Sequence, residues 1–334
     1  RCGLAAIGCG FCLGKHAVGV AGPGHKRLGP RRFIVVHRTD KGDQGAFVGT
    51  GAVGRGLDTG ARTFVIGLYA QIRTASDKKQ RKGCEAHGPS GATDYHHPML
   101  LAACVQMRAV DDVAANLAAL ERLVGQAVAL GAGFVATPEN TTFLGPPSKK
   151  VAIAESIDGP THQVLARIAA AHGVWLSVGS VAESNVDDPS RCFNTSLLFD
   201  PAGKLRAFYR KIHLFDIDLP DGTRFRESAH ISAGRCLAVA GTPFGRVGLS
   251  ICYDLRFPEL YGRLVDEGAD ILLVPSAFTV TTGRAHWHAL LRARAIETQC
   301  YVLAAAQSGE HGNGRVSYGH SVIYDPWGEL SAEL

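Results

Sequence analysis

The chain has 334 residues, 46% of them hydrophobic and 19% charged, enough apolar side chain to bury one large core or two modest ones, so it reads as a soluble globular protein. Its formal net charge of +5 suggests a nucleic-acid partner only until it is divided: residues 1–98 hold 15 Lys and Arg against 6 Asp and Glu, leaving 20 against 24 in residues 99–334. The globular part is therefore mildly acidic, and no nucleic-acid partner is expected.

Residues 1–98 also carry 19 of the 40 glycines and show no amphipathic period. A basic, Gly-rich segment of this kind cannot bury a core of its own. The sequence starts at Arg1, and its two methionines are Met99 and Met107. Met99 immediately precedes the first convincing strand, so the expectation is that the native protein begins there and that 1–98 is upstream read-through; a native disordered extension is the alternative. Nine cysteines at irregular spacing do not form a disulfide framework, which points to a reducing cytoplasm. Cys9 and Cys12 have CxxC spacing but lack a βαβ context or a second ligand pair, so neither a redox nor a zinc role is assigned to them. No apolar run approaches the roughly 20 residues of a membrane span, and no signal segment with a cleavage site opens the chain.

From residue 99 onward, short apolar runs alternate with longer stretches of helical period, the pattern of an α/β domain. Strands are predicted at 100–106, 133–137, 174–181, 194–199, 247–251, 270–274, 301–306 and 320–324. The first helix, 111–130, opens with Asp111 and Asp112 at its positive end and repeats Val113, Leu117, Leu120, Val124 and Val128 on one face. Gly131 supplies its stop. Further helices are predicted at 161–172, 258–267 and 284–298, and no repeat or composition break divides 99–334.

Three segments place chemistry at strand ends. Thr137-Pro138-Glu139-Asn140 puts a carboxylate just after strand 133–137. Tyr209-Arg210-Lys211-Ile212-His213-Leu214 puts a lysine just beyond an extended segment. Gly248-Leu249-Ser250-Ile251-Cys252-Tyr253-Asp254 runs an apolar strand into a polar turn and a helix, where a nucleophile stands beside free backbone N–H groups. Taken singly, each has a plainer reading: two solvated charges and a small buried cysteine capping a strand.

Together the P-E, Y-R-K-x-H-L and G-x-x-I-C-Y-D-x-R-F-P-E motifs resemble those of the nitrilase superfamily of carbon-nitrogen hydrolases, in the expected order from about Met99 to Leu334. The resemblance implies a nitrilase-like four-layer α-β-β-α sandwich, with Glu139 as general base, Lys211 as transition-state stabiliser and Cys252 as nucleophile. Phe225-Arg226-Glu227-Ser228 matches the position of a second glutamate in the amidase branches, which would make Glu227 orient the lysine or the water. A free thiol titrates near pH 8.5, so Glu139 must accept its proton as Cys252 attacks the amide carbon. The developing oxyanion would meet Lys211 and the backbone N–H of Tyr253, stabilisation worth roughly 3 to 4 kcal/mol per donor. The reaction needs no metal or organic cofactor. Arg256 is placed either on a substrate carboxylate or in an ion pair with Asp254 or Glu259. His286 and His288, two residues apart on a helix, do not share a face and make poor metal partners; His213 and His320 read as hydrogen-bonded structural histidines.

The stretch from His286 to Gln307, Ser317-Tyr318-Gly319-His320-Ser321 and Asp325-Pro326-Trp327-Gly328 resemble the deaminated glutathione amidase branch, which releases 2-oxoglutarate and cysteinylglycine. The ω-amidase branch, acting on 2-oxoglutaramate, shares the segment 213–220 almost as well. Two readings of other classes remain: an N-acyltransferase using the same thioester, and a non-catalytic nitrilase-like scaffold, against which intact Glu139, Lys211, Glu227 and Cys252 argue. The resemblance further implies a homodimer acting on a small-molecule amide, without nucleic-acid or membrane partners. Relatives continue past the position of Leu334 with another strand and a C-terminal arm, so the chain is expected to be truncated there.

Overall fold

Strands and helices alternate along the chain from Leu101, as the apolar pattern requires, and they sort into two sheets. The computed structural model describes residues 35–36, 63–66, 101–218, 222–311 and 314–334; the Cys9/Cys12 pair and Met99 lie outside them. The first sheet has eight strands in the order β1 (Val35–Val36), β2 (Thr63–Ile66), β3 (Leu101–Val105), β4 (Ala132–Ala136), β5 (Trp175–Ser184), β6 (Cys192–Phe199) and β10 (Ile231–Ser232), with β7 (Leu205–Arg210) also paired to β6. The second has six, β11 (Val239–Thr242), β12 (Gly245–Leu249), β13 (Ile271–Leu273), β14 (Tyr301–Ala304), β17 (Val322–Tyr324) and β18 (Leu330–Glu333). Two hairpins, β8 (Asp216–Asp218) with β9 (Arg224–Arg226) and β15 (Ser308–Glu310) with β16 (Val316–Tyr318), stand apart from them.

Side-chain alternation assigns the layers. On β3 and β4, Ala103, Val105 and Val135 pack with Leu120, Leu123 and Val124 of helix α1 (Val113–Ala129) and Leu165 and Ile168 of α3 (Pro160–His172). Their neighbours Ala102, Cys104, Phe134 and Ala136 face the other way, into one core with Val247, Leu249 and Leu272 of the second sheet. Phe134 meets Phe244 edge-on across this seam, with ring centroids 5.6 Å apart. The far side of the second sheet is closed by Leu260, Tyr261 and Leu264 of α4 (Pro258–Asp266) and Trp287, Leu291 and Ala295 of α5 (Val280–Thr298). The result is the α-β-β-α sandwich.

The helix ends are set by local chemistry. Asp112 caps α1, its carboxylate accepting from the Ala115 N–H, and Gly131 beyond the other end takes φ +94°. Asp111, expected in the same first turn, instead pairs with Lys149 at 3.0 Å. All eight predicted strands and four predicted long helices are present, with ends displaced by a few residues. Several short elements were not predicted, among them α2 (Pro147–Ala152), β11 and β18; the last pairs with β17 at the edge of the second sheet. Two short stretches of the basic, Gly-rich segment, β1 and β2, pair antiparallel at the open edge of the first sheet. Among the described residues, no helix is long and apolar enough to cross a membrane.

Candidate active site

Glu139 sits three residues past the end of β4, in a turn whose polar groups satisfy one another. Thr141 donates to the Pro138 carbonyl at 2.6 Å and shares a 2.7 Å hydrogen bond with Thr137, while Asn140, at φ +60°, donates its N–H to the Ser180 hydroxyl at 2.7 Å. The turn lies directly on Gly179 of β5, whose N–H donates to the Thr137 hydroxyl at 3.0 Å. A Cβ at Gly179 would run into the Thr137 carbonyl, the Pro138 backbone and Pro275, so glycine is required for the turn to rest there. From the other side, Gln307 donates to the Glu139 carbonyl at 3.0 Å.

Lys211 follows β7 directly, and its ammonium is 1% exposed. It donates to Glu139 Oε1 at 2.9 Å and to both oxygens of Glu227, at 2.8 and 3.1 Å. Asn194 of β6 donates to the same Glu139 oxygen at 2.9 Å, and the Ala277 N–H reaches the other at 3.1 Å. The N–H of Phe215 fixes Glu227 at 2.6 Å. A buried lysine is thus held between two carboxylates, the arrangement that makes burying its charge tolerable.

Cys252 arrives from the second sheet. Past β12 the chain turns sharply, Cys252 taking φ +51° and donating its N–H to the Pro275 carbonyl at 2.9 Å, and a 3-10 turn (Cys252–Arg256) follows. A non-glycine residue in this region is held there only by over-determined surroundings. The holding group is Asp254, fully buried: one oxygen accepts from the Ile251 N–H and the Tyr209 hydroxyl, both at 2.8 Å, and the other from the N–H of His213 at 3.0 Å and its ring Nδ1 at 2.7 Å. One carboxylate therefore ties the Cys252 turn to the loop that carries Lys211. His213 also stacks on Phe257, with centroids 3.7 Å apart.

The electrostatics follow from this packing. Burial pushes the Glu139 carboxyl upward, but the Lys211 charge and hydrogen bonds from Cys252 and Lys211 outweigh it and hold the group low, at about 2. Burial, and after it the neighbouring Glu139 charge, push the Cys252 thiol well above its usual range against the pull of Lys211 and the Ala277 N–H. Burial works against the Lys211 charge, and the two carboxylates more than restore it. The resting site is a neutral thiol beside an ionised carboxylate and an ammonium: a nucleophile, a proton acceptor and a cation within one cluster.

These groups line a pocket that opens to solvent, with about 950 Å³ of non-protein space, mouth included. Phe143, Phe215, Phe225, Tyr253 and Phe278 wall it. The residues singled out in the sequence all line it: Glu139, Lys211, Glu227, Cys252, Tyr253 and Arg256. The Tyr253 N–H has no hydrogen-bond partner among the described residues, as an oxyanion donor requires. Arg256 pairs with neither Asp254 nor Glu259 there; its guanidinium lies near the Tyr253 and Phe278 rings and 3.3 Å from His286 Nδ1.

Sequence reasoning missed Asn194, the Ala277 N–H and Lys150. The first two act through positions far along the chain and left no local signal. Lys150, on the short helix α2, reaches the pocket and donates to Asn140 at 2.6 Å; burial lowers its pKa, partly offset by Cys192, Glu139 and Glu227.

Known proteins resemble this chain in sequence and fold. The profile of the family described as carbon-nitrogen hydrolase matches residues 101–334. The chain is 44% identical over 230 residues to the deaminated glutathione amidase of Yersinia enterocolitica, covering 68% of this chain and 80% of that one. It is 43% identical over 235 residues to the deaminated glutathione amidase of Synechocystis, covering 70% and 86%. Among solved structures, the NitFhit protein of C. elegans is similar with a TM-score of 0.65 at 42% identity; the match covers 69% of this chain and 56% of that one, so the chain spans little more than half its length. With this profile, these relatives and this sandwich in agreement, the chain belongs to the carbon-nitrogen hydrolase family of the nitrilase superfamily, hydrolases of non-peptide carbon-nitrogen bonds.

Proposed function

We propose that this amidase hydrolyses deaminated glutathione to 2-oxoglutarate and cysteinylglycine through a thioester on Cys252. The observation that carries the substrate reading is the charge of the pocket. Lys150, Arg256 and Arg315 all line it, and among the described residues none is within ion-pair distance of a carboxylate. Three basic side chains whose partners among the described residues are neutral, Asn140, His286 and the Ala277 carbonyl, suit a ligand with a carboxylate at each end, as deaminated glutathione has, better than 2-oxoglutaramate, which has one. The relatives named as deaminated glutathione amidases support the same choice.

The steps follow from the cluster. As Cys252 Sγ bonds to the amide carbon, its proton passes to Glu139, and the carbonyl electrons move to an oxygen facing Lys211 and the Tyr253 N–H. With the thiol pK raised and the carboxyl pK lowered, a free thiolate beside a protonated Glu139 is disfavoured, so proton transfer accompanies attack. Collapse breaks the C–N bond, the leaving amine takes the proton from Glu139, and the thioester remains. Water then attacks that carbon, giving one proton to Glu139, and expulsion of Cys252 restores the thiol and releases the acid. Glu227, bonded through both oxygens to Lys211, keeps the ammonium aimed at the reacting oxygen. The setting proposed with it is a cytoplasmic homodimer without nucleic-acid or membrane partners, with 99–334 as the catalytic domain and residues 1–98 as an extension that lends the strands β1 and β2 to the edge of its first sheet.

The test is turnover of deaminated glutathione, 2-oxoglutaramate and simple nitriles by the purified chain and by Cys252→Ala. Deaminated glutathione should be preferred and the variant inactive. Faster turnover of 2-oxoglutaramate would move the chain to the ω-amidase reading, and activity surviving in Cys252→Ala would overturn the mechanism.

A further inference from the structure

A second grouping of ligand-type side chains lies outside the pocket. His288 on α5, His320 just before β17 and Glu333 on β18 each offer one atom, and the three atoms lie within 4.8 Å of one another. The same Glu333 oxygen, Oε1, faces His320 Nδ1 at 2.6 Å and His288 Nε2 at 3.4 Å. The other nitrogen of His288, Nδ1, is 3.1 Å from the Tyr324 hydroxyl, which fixes the ring so that Nε2 points at the carboxylate. The two imidazoles stand nearly perpendicular, at 82°, with centroids 5.6 Å apart.

We propose that His288, His320 and Glu333 form a binding site for a divalent transition-metal ion of the zinc class, seated on the face of the second sheet where α5, β17 and β18 meet. Two imidazole nitrogens and one carboxylate oxygen are a ligand set that zinc accepts, whereas calcium and magnesium need more oxygen. Bonds of about 2.0 to 2.1 Å in a tetrahedron put ligand atoms about 3.3 Å apart, which the His288–Glu333 pair already matches. The His320–Glu333 hydrogen bond must lengthen by about 0.7 Å, its Nδ1 proton moving to Nε2 so that the ring binds as neutral imidazole. The Tyr324 hydroxyl takes the outer role that orients a metal-bound histidine. Side-chain exposures of 35%, 39% and 25% for His288, His320 and Glu333 leave one side open to water as a fourth ligand.

The full chain is stripped with a chelator and titrated with Zn²⁺ by calorimetry, and with Co²⁺ by visible absorption. The expected result is one equivalent bound in the wild type and in Cys252→Ala, with the d–d bands of four-coordinate Co²⁺ and without thiolate charge transfer. Glu333→Gln keeps a hydrogen-bond acceptor for His320 but loses the charge, and should bind at least about tenfold more weakly; His288→Ala should lose the equivalent. Thermal unfolding without metal checks that each variant is folded, and added Zn²⁺ should raise the wild-type Tm but not that of His288→Ala. Absence of a saturable equivalent in the wild type, a thiolate-type Co²⁺ spectrum, or undiminished affinity in Glu333→Gln would overturn the proposal.

Discussion

Glu139 must stay ionised at rest and still take a proton during the reaction, and its neighbours make both possible. Because Lys211 and its hydrogen bonds hold its carboxyl at about 2, the group gives no acid limb in the neutral range. The profile of kcat/KM should therefore be flat from about pH 7 down to about pH 5, and an inflection at or above the ordinary carboxylate value of about 4.3 would contradict this assignment. The sign for stability is the same: a carboxyl lowered by folding contributes fully above its unfolded value, and that contribution is lost as the pH falls toward 2. Glu139→Gln removes the acceptor and should lower kcat by about 10² to 10⁴, read in a steady-state assay. The cations at the pocket wall act on binding. Lys150→Met and Arg315→Met should each raise KM for deaminated glutathione about tenfold with kcat nearly unchanged, and should matter less for 2-oxoglutaramate.

At the scale of elements, the site depends on one strand-end turn being tied to another. Asp254 accepts four hydrogen bonds from Ile251, Tyr209 and His213, so Asp254→Ala strands several buried donors at once. It should destabilise the protein by about 3 kcal/mol in a denaturation titration and lower kcat beyond what the fraction unfolded explains. This role left no local trace in the chain, since Tyr209 and Asp254 are 45 positions apart. By contrast, β4 and β12 were legible because their short apolar runs are mostly buried, and Glu139 and Cys252 stood out because each follows such a run, whereas Lys211 follows the half-exposed strand β7 and was read from its motif. The short strands β10, β11 and β18 were not legible: two to four residues carry no period, and their pairing is decided by the neighbour they meet. The three-way meeting of His288, His320 and Glu333 was hidden for the same reason, because the helix spacing of His286 and His288 says nothing about a strand that folds back beside them.

On the scale of the whole molecule, the sandwich divides the reacting groups between its halves. Glu139, Lys211 and Asn194 come from the first sheet and Cys252 and Ala277 from the second, so the cluster exists only while the two are pressed together. They press on each other at Gly179, where the Thr137–Pro138 turn and Pro275 leave no room for a side chain. This makes catalysis a gauge of the seam. Helical circular dichroism reports each layer by itself, whereas turnover reports the gap between them, so mild urea should extinguish activity at a lower concentration than it melts the helices. Coincident midpoints would mean that the halves never part before they unfold. A midpoint for turnover that comes first would mean that the molecule can be opened like a hinged case, idle but intact, and closed again.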